Sequence, residues 1–447
     1  MLIPKVLLLT LLSTPAFSFD AQIITATDIA ERVNSTNRVG LDFIRDVIKT
    51  DAARSRFPQN TLISPISAYT AFAMLHSGLR NETEQHLDQF LNASNRSIGD
   101  FDTQNSALLN ALRIERVPAD QQPQYGPRLP ALGINNSAWH SNGLTTRGAF
   151  EFTPQFAANL KNFYSASIEV LDFADPKSAS VINAWVEKST NGLIPTIITS
   201  GIMKDLNWLL LNATYLEASW AIKFEALPAS RAIPFSLLNG RKVAVDMISG
   251  EGELTFLENH EFQAVEVPFF GADLSFIVLL PRTSQTFKNW TLDGTLFKEG
   301  RWNTIIRELA VADKKTHERD VHLKLPKFSF AYSKTITKRE PITALLGLDF
   351  LFAKKSMPDF SPLGGAVGAA PGTVVGIIKQ DTKISLDENG VKAAAVTMIG
   401  PTRGSRPFPK PVKNIVIDRP FVFAIKSKAT GALLFIGTVV DPKITML

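Results

Sequence analysis

The chain has 447 residues, 45% hydrophobic and 20% charged, a balance that can bury a large core and is too apolar for a long disordered tail. Its net charge of +5 is mild, and no stretch interleaves basic with aromatic residues, so nucleic acid is not an expected partner. The absence of cysteine excludes thiol catalysis and cysteine-based metal sites and leaves stability to core packing.

The first residues, MLIPKVLLLTLLSTPAFSFD, combine an early Lys5, an apolar run from Val6 to Leu12, a helix-breaking Pro15 and the small-x-small site Ala16-Phe17-Ser18. They read as a secretory signal peptide, 1–18, whose apolar run falls short of the roughly 20 residues a bilayer anchor needs. Loss of Lys5 with that segment would leave a charge of +4. The expected mature chain, 19–447, is a secreted, extracellular single domain and a monomer without membrane contact. Asn34, Asn81, Asn92, Asn95, Asn135 and Asn289 stand in N-x-[ST] sequons and are candidate glycosylation sites.

Val39, Phe43, Ile44, Val47 and Ile48 repeat at helical spacing, predicting an amphipathic helix that closes before Pro58. In TLISPISAYTAFAMLHSG, Ser64 is placed as an N-cap, Pro65 at the first helical position and Gly78 as a stop, around an apolar run that predicts a buried helix. Two stretches, Val117–Gly133 and Gly364–Gly372, read as surface loops from their Pro and Gly content. Strand signals are long and numerous: NWLLLNATYL, QAVEVPFF, DLSFIVLLP, VHLKLPKFSF, and a closing hairpin FVFAIKSKATGALLFIGTVV that turns near Thr430-Gly431. Helices come first and strands mix with helices later without regular alternation, which predicts an α+β fold.

Motifs for catalysis are missing. There is no G-x-S-x-G elbow, no phosphate-binding G-x-x-x-x-G-K-[ST] and no dinucleotide glycine signature. His317 and His322 are five apart, whereas a zinc helix needs ligands four apart, and they run into the alternating strand VHLKL. The reading is a chain that is not an enzyme, with no catalytic residues, no metal and no cofactor.

The segments NTLISPISAYTAFAMLHSG, VINAWVEKSTNGLI, LLLNATYLEASWAIKF, AVEVPFFGADLSFIVLLP, LPKFSF, MPDFSPL, ENGVKAAAVT and RPFVFAIKSKATGALLFIGTVVDP resemble, in order, those of the serpins, the serine protease inhibitor superfamily. The resemblance implies three β-sheets, eight or nine helices and an exposed reactive loop, here about 388–415. In such a fold a target protease attacks the loop, an acyl-enzyme forms, and the loop's first part inserts as a new strand into the central sheet. The implied partner is an extracellular trypsin-like serine protease held in a covalent complex. A non-inhibitory carrier, storage or chaperone protein of the same fold is the open alternative.

Insertion makes demands that the residues can be tested against. A strand entering a sheet needs a flexible start, no proline and small or apolar residues on alternate positions. The hinge Glu388, Gly390, Val391, Ala393, Ala394, Ala395 and Thr397 meets them, with Val391, Ala393, Ala395 and Thr397 facing the core if Val391 does, and Lys392 facing solvent. Family spacing puts the cleaved bond after Gly404 or, in a loop shorter by one, after Arg403. Arg403 is preferred, because an Arg side chain can meet a carboxylate in a trypsin-like pocket and Gly404 offers no side chain. Arg406 is second, since Pro407 follows it. The resemblance also places Ser64, Ser67, Asn212 and Gln380 in a polar cluster that re-forms when the sheet opens, with Gln380 where the family has His, and Trp220 at the loop's entry point. Asn212, although a sequon, is set aside for glycosylation as a buried strand position.

Overall fold

The computed structural model describes residues 24–55, 58–94, 96–114, 120, 122, 129–143, 149–204, 206–228, 233–313, 320–336, 341–352, 359–367, 378–391 and 412–443. Helix α1 (Ala26–Ser55) buries Val39, Phe43, Ile44, Val47 and Ile48 on one stripe and starts earlier than that stripe, because Arg32 and Val33 are buried too. Strand β1 (Thr61–Ile63) leads into α2 (Pro65–His76), whose every residue is buried. Ser64 caps it, its Oγ accepting from the Ser67 amide at 3.3 Å, and Pro65 sits in the first turn, where no amide hydrogen is needed. Helices α3 (Asn81–Leu91) and α4 (Ile98–Leu112) follow.

The middle of the chain runs β2 (Ala131–Ser141), β3 (Ala149–Phe152), α5 (Pro154–Tyr164), β4 (Ser167–Leu171), α6 (Lys177–Ser189), α7 (Ser200–Met203) and β5 (Trp208–Ser219). Next come β6 (Phe224–Ala226), β7 (Ile233–Ser236), β8 (Lys242–Val245), β9 (Met247–Gly252), β10 (Thr255–Glu258), β11 (Phe262–Pro268) and β12 (Leu274–Pro281). Helices α8 (Ser284–Thr291) and α9 (Glu299–Asp313) precede β13 (Asp320–Pro326), β14 (Phe328–Ile336) and α10 (Pro341–Leu345). The chain closes with β15 (Gly364–Val367), β16 (Ile378–Asp387), β17 (Gly390–Val391), β18 (Val412–Val416), β19 (Phe421–Ser427) and β20 (Leu433–Val439).

Three larger sheets and two two-stranded ribbons form. The central sheet has the order β14-β16-β17-β5-β2-β4, the second β1-β20-β19-β12-β11-β10, and the third β18-β13-β9-β6. The closing hairpin β19–β20 pairs antiparallel, as its alternation predicts. A large apolar core joins α1 and α2 to the central and second sheets, and a smaller one holds α6 against the opposite face of the central sheet. Strand alternation divides β5 between them: Leu210, Leu216 and Ala218 enter the large core, Leu209 and Leu211 the small one.

Several expectations are corrected. Ala131–Gly133 belongs to β2 and not to a loop, because β2 pairs with β5 from Ala131 onward. Gly364–Val367 is the strand β15, paired with β3, where Gly and Pro content suggested loop. VHLKLPKFSF is two strands in two different sheets; the chain turns at Pro326, and the Lys327 amide bonds the Asp246 carbonyl at 2.8 Å. Ten α-helices occur among the described residues against eight or nine expected, the shortest being α7 and α10.

Candidate functional site: the mouth of a strand-sized slot

Strand β16 ends at Asp387, turns through Glu388 and Asn389, and returns as β17. Gly390 and Val391 pair antiparallel with Asp387 and Leu386 on one side and with Ser219 and Ala218 of β5 on the other. At the far end β16 and β5 meet each other directly, Ile378 beside Leu210, in parallel. The two neighbours are therefore held apart at one end by a two-residue wedge and closed on each other at the other end.

The wedge is fixed from several directions. The Trp220 indole N–H donates to the Asp387 carbonyl at 2.9 Å and its backbone N–H to the Asn389 carbonyl at 3.3 Å. That ring is fully buried, stacked on Phe269 with centroids 5.0 Å apart. The Asn389 amide donates to Asp387 Oδ1 at 2.7 Å. Burial and the neighbouring Glu388 push the Asp387 carboxyl up, with the Asn389 amide partly offsetting them. Burial also works against charge on Glu388, but Lys327, with Nζ 2.5 Å away, more than compensates and holds that carboxyl below its ordinary value.

Gly390 is demanded by both conformation and space. Its φ is +137°, and a Cβ there would lie 2.0 Å from the Ala218 carbonyl oxygen. Val391 is 4% exposed and points into the large core.

The polar residues under the sheet form two hydrogen-bonded sets and not one. In the first, Gln380 Nε2 donates to the Ser64 carbonyl at 2.8 Å and its Oε1 accepts from the Ser64 amide at 3.2 Å, while Ser64 caps Ser67. In the second, Asn212 Nδ2 donates to Asn136 Oδ1 at 2.6 Å, Thr214 donates to Asn212 Oδ1 at 2.9 Å, and Asn136 Nδ2 donates to the Tyr164 carbonyl at 2.7 Å. All of these residues are buried.

A family model described as serpin, serine protease inhibitor, matches residues 34–442. The chain belongs to the serpin family. An uncharacterised serpin-like protein of Thermococcus kodakarensis is 28% identical over 439 residues, spanning 96% of this chain and 92% of its own length. The leukocyte elastase inhibitor of Bos taurus is 28% identical over 392 residues, 86% of this chain and 93% of its own. Among solved structures, the native state of the thermophilic serpin tengpin superposes with a TM-score of 0.69 at 25% identity, covering 92% of this chain and 94% of its own.

In this serpin Glu388, Gly390, Val391 and Trp220 lie together at one end of the slot, and Ser64, Ser67, Gln380 and Asn212 lie below it. Ala393, Ala394, Ala395, Thr397, Arg403, Gly404, Arg406, Asn95 and the segment 1–18 lie outside the described residues. Asn34, Asn81, Asn92 and Asn289 are exposed. Asn135 is half-buried, with its amide donating to the Ser189 carbonyl at the end of α6 at 2.9 Å, so a glycan there would displace a tertiary bond. His322 sits within β13, its ring nitrogens 2.7 Å from Ser249 Oγ and 3.1 Å from Asn414 Oδ1 on the adjoining strands.

Sequence reading missed Asn136, Thr214, Asp387 and Lys327. Asn136 and Thr214 had a signal: polar residues on the core-facing positions of strands that are otherwise apolar. Lys327 had none, because its partner Glu388 is distant in sequence and is brought beside it only when β14 pairs with β16.

Proposed function

We propose that this serpin is a secreted glycoprotein that inhibits trypsin-like serine proteases and is consumed by a single encounter, acting as bait and trap and not as an enzyme. The protease serine oxygen bonds to the Arg403 carbonyl carbon, the Arg403–Gly404 amide breaks, and Gly404 leaves as a new amine carrying the proton. Insertion of the segment behind Gly390 then carries the acyl-linked protease away before water reaches the ester.

The observation that supports this reading is the fit between slot and segment. Extending the register of β17 one residue at a time along both neighbours brings Ile399 level with Leu210 and Ile378, the pair that now closes the slot. The same register brings Thr397 level with Asn212 and Gln380, a hydroxyl between two buried amides. Residues 390–399 contain no proline, and Pro401 follows directly after Gly400, so the stretch able to donate to a ladder on every residue has the length of the opening. Alternation puts Val391, Ala393, Ala395, Thr397 and Ile399 on the core face and Lys392 on the other. The partner is an extracellular protease; no cofactor, metal or nucleic acid enters the mechanism, and the chain acts as a monomer.

Incubation with trypsin followed by denaturing electrophoresis tests the reading. An inhibitor yields a complex that survives detergent, and Arg403→Ala abolishes it. A clipped chain with fully active trypsin would instead assign the fold to a carrier, storage or chaperone role. A released peptide starting at Gly404 supports the bond chosen here, whereas a start at Pro407 moves it to Arg406.

A further inference from the structure

Helix α4 docks on the body of the protein through a mixed face, with Phe101, Leu108 and Leu112 in the large core beside the buried polar residues Asp102, Gln104 and Asn105. Asp102 is fully buried there, Oδ1 accepting from the Tyr164 hydroxyl at 2.7 Å and Oδ2 without a hydrogen-bond partner. Asn105, one turn on, approaches the same hydroxyl at 3.4 Å, and its own Oδ1 is unpartnered, as is Gln104 Oε1. A buried carboxylate with one hydrogen bond is poorly compensated in a low-dielectric setting.

The groups facing Asp102 do not supply a committed counter-charge. From α2, His76 has its Nε2 2.6 Å from Asp88 Oδ1 of α3, its ring tilted on Phe101 at 4.8 Å, and its Nδ1 unpartnered. Also from α2, Tyr69 donates to the Leu91 carbonyl. From α1, Arg32 is spent on Tyr69, Glu31 and the Asn92 carbonyl with its guanidinium 5.3 Å from the Phe101 ring centroid, and Asp28 accepts from Gln104. From α5, Tyr164 is itself buried and donates its only proton to Asp102.

The Asp102–Tyr164 bond continues inward. Tyr164 is the last residue of α5, and its backbone carbonyl holds Asn136 of β2, which holds Asn212 of β5 directly across the strand pair. Strand β5 is one wall of the slot. A cavity of about 10 Å³, lined by Leu109 and Asn110 of α4, by Arg113 just past its end, and by Ile134, Asn136 and Tyr164, lies at this junction.

We propose that Asp102 is a positioning residue for opening of the central sheet: neutral, it keeps α4 seated and the chain Tyr164–Asn136–Asn212 tight, and ionised, it drives α4 outward and frees β5 to move. This rests on the insertion mechanism proposed above and adds a proton as its regulator. Burial pushes the Asp102 carboxyl up to about 7, against the lowering effects of the Tyr164 hydroxyl and of His76. The folded state thus binds this proton more tightly than the unfolded chain, whose carboxyl has its ordinary value of 3.8. Stability from this group is full below that value, falls as pH rises, and is lost above about 7.

A fluorescent peptide with the sequence of residues 391–402 tests this on the full chain without any protease, through its rate of incorporation at pH 6 and pH 8. Wild type is expected to take it up about fivefold or more faster at pH 8, a usual size for coupled sites. Asp102→Asn, neutral at both values, is expected to be slow at both. Tyr164→Phe, which cuts the link but keeps the ring, is expected to lose the pH ratio. Equal uptake by wild type at the two values, or an unchanged ratio in Asp102→Asn, overturns the proposal. Absence of uptake in every variant at both values overturns the insertion mechanism itself, and this regulation with it.

Discussion

Gly390 carries more of the account than any other residue. Its backbone passes so close to the Ala218 carbonyl that any side chain must displace it, and its φ of +137° adds a conformational cost of about 1–3 kcal/mol for an L-residue. Gly390→Ala is therefore expected to unseat the hinge and slow insertion. Densitometry of the trypsin reaction should show the clipped chain growing at the expense of the covalent complex, and an unchanged ratio would contradict the role given to this contact. The glycine was legible from its place before VKAAAVT. Its contact with Ala218 was not, because residues 172 positions apart leave no local trace of each other. Gln380 is the converse: its position came from resemblance alone, and the structure gives it a task that suits an amide, donating to and accepting from the same residue, Ser64.

Among elements, α2 was the most legible, since cap, proline and apolar run all lie within one stretch of chain. Strand β15 was the least, because Gly364, Gly365 and Ala366 carry no strand propensity and are ordered by pairing with β3. The closest approach to function lies in β17, a two-residue strand whose pairings on both sides set the register that the proposed insertion would extend. A proline on that path removes a ladder donor. Ala395→Pro is expected to leave cleavage by trypsin intact and abolish the covalent complex on denaturing gels; persistence of the complex would mean that the segment does not travel as a strand. The buried polar residues of α4 were hidden from periodicity, which registers a helix by its apolar residues and is silent on a buried Asp102.

In the whole molecule, the central sheet has β16 and β5 closed on each other at Ile378 and Leu210, and the proposed mechanism requires a second arrangement with a strand between them along their length. The class of fold could be read from the order of helices and strands; the slot could not, because it exists only where β16, β17 and β5 come together from distant parts of the chain. The seated hinge, the ten-residue proline-free segment from Gly390 to Ile399 and the amides of Asn212 and Gln380 at the level of Thr397 all concern this one change of state. Amide hydrogen exchange across residues 391–399, compared before and after cleavage of the loop by trypsin, measures it directly. The account predicts that cleavage brings strong protection to these amides, in step with Leu210–Ser219 and Ile378–Asp387; exchange at 391–399 that stays as fast after cleavage as before would contradict it.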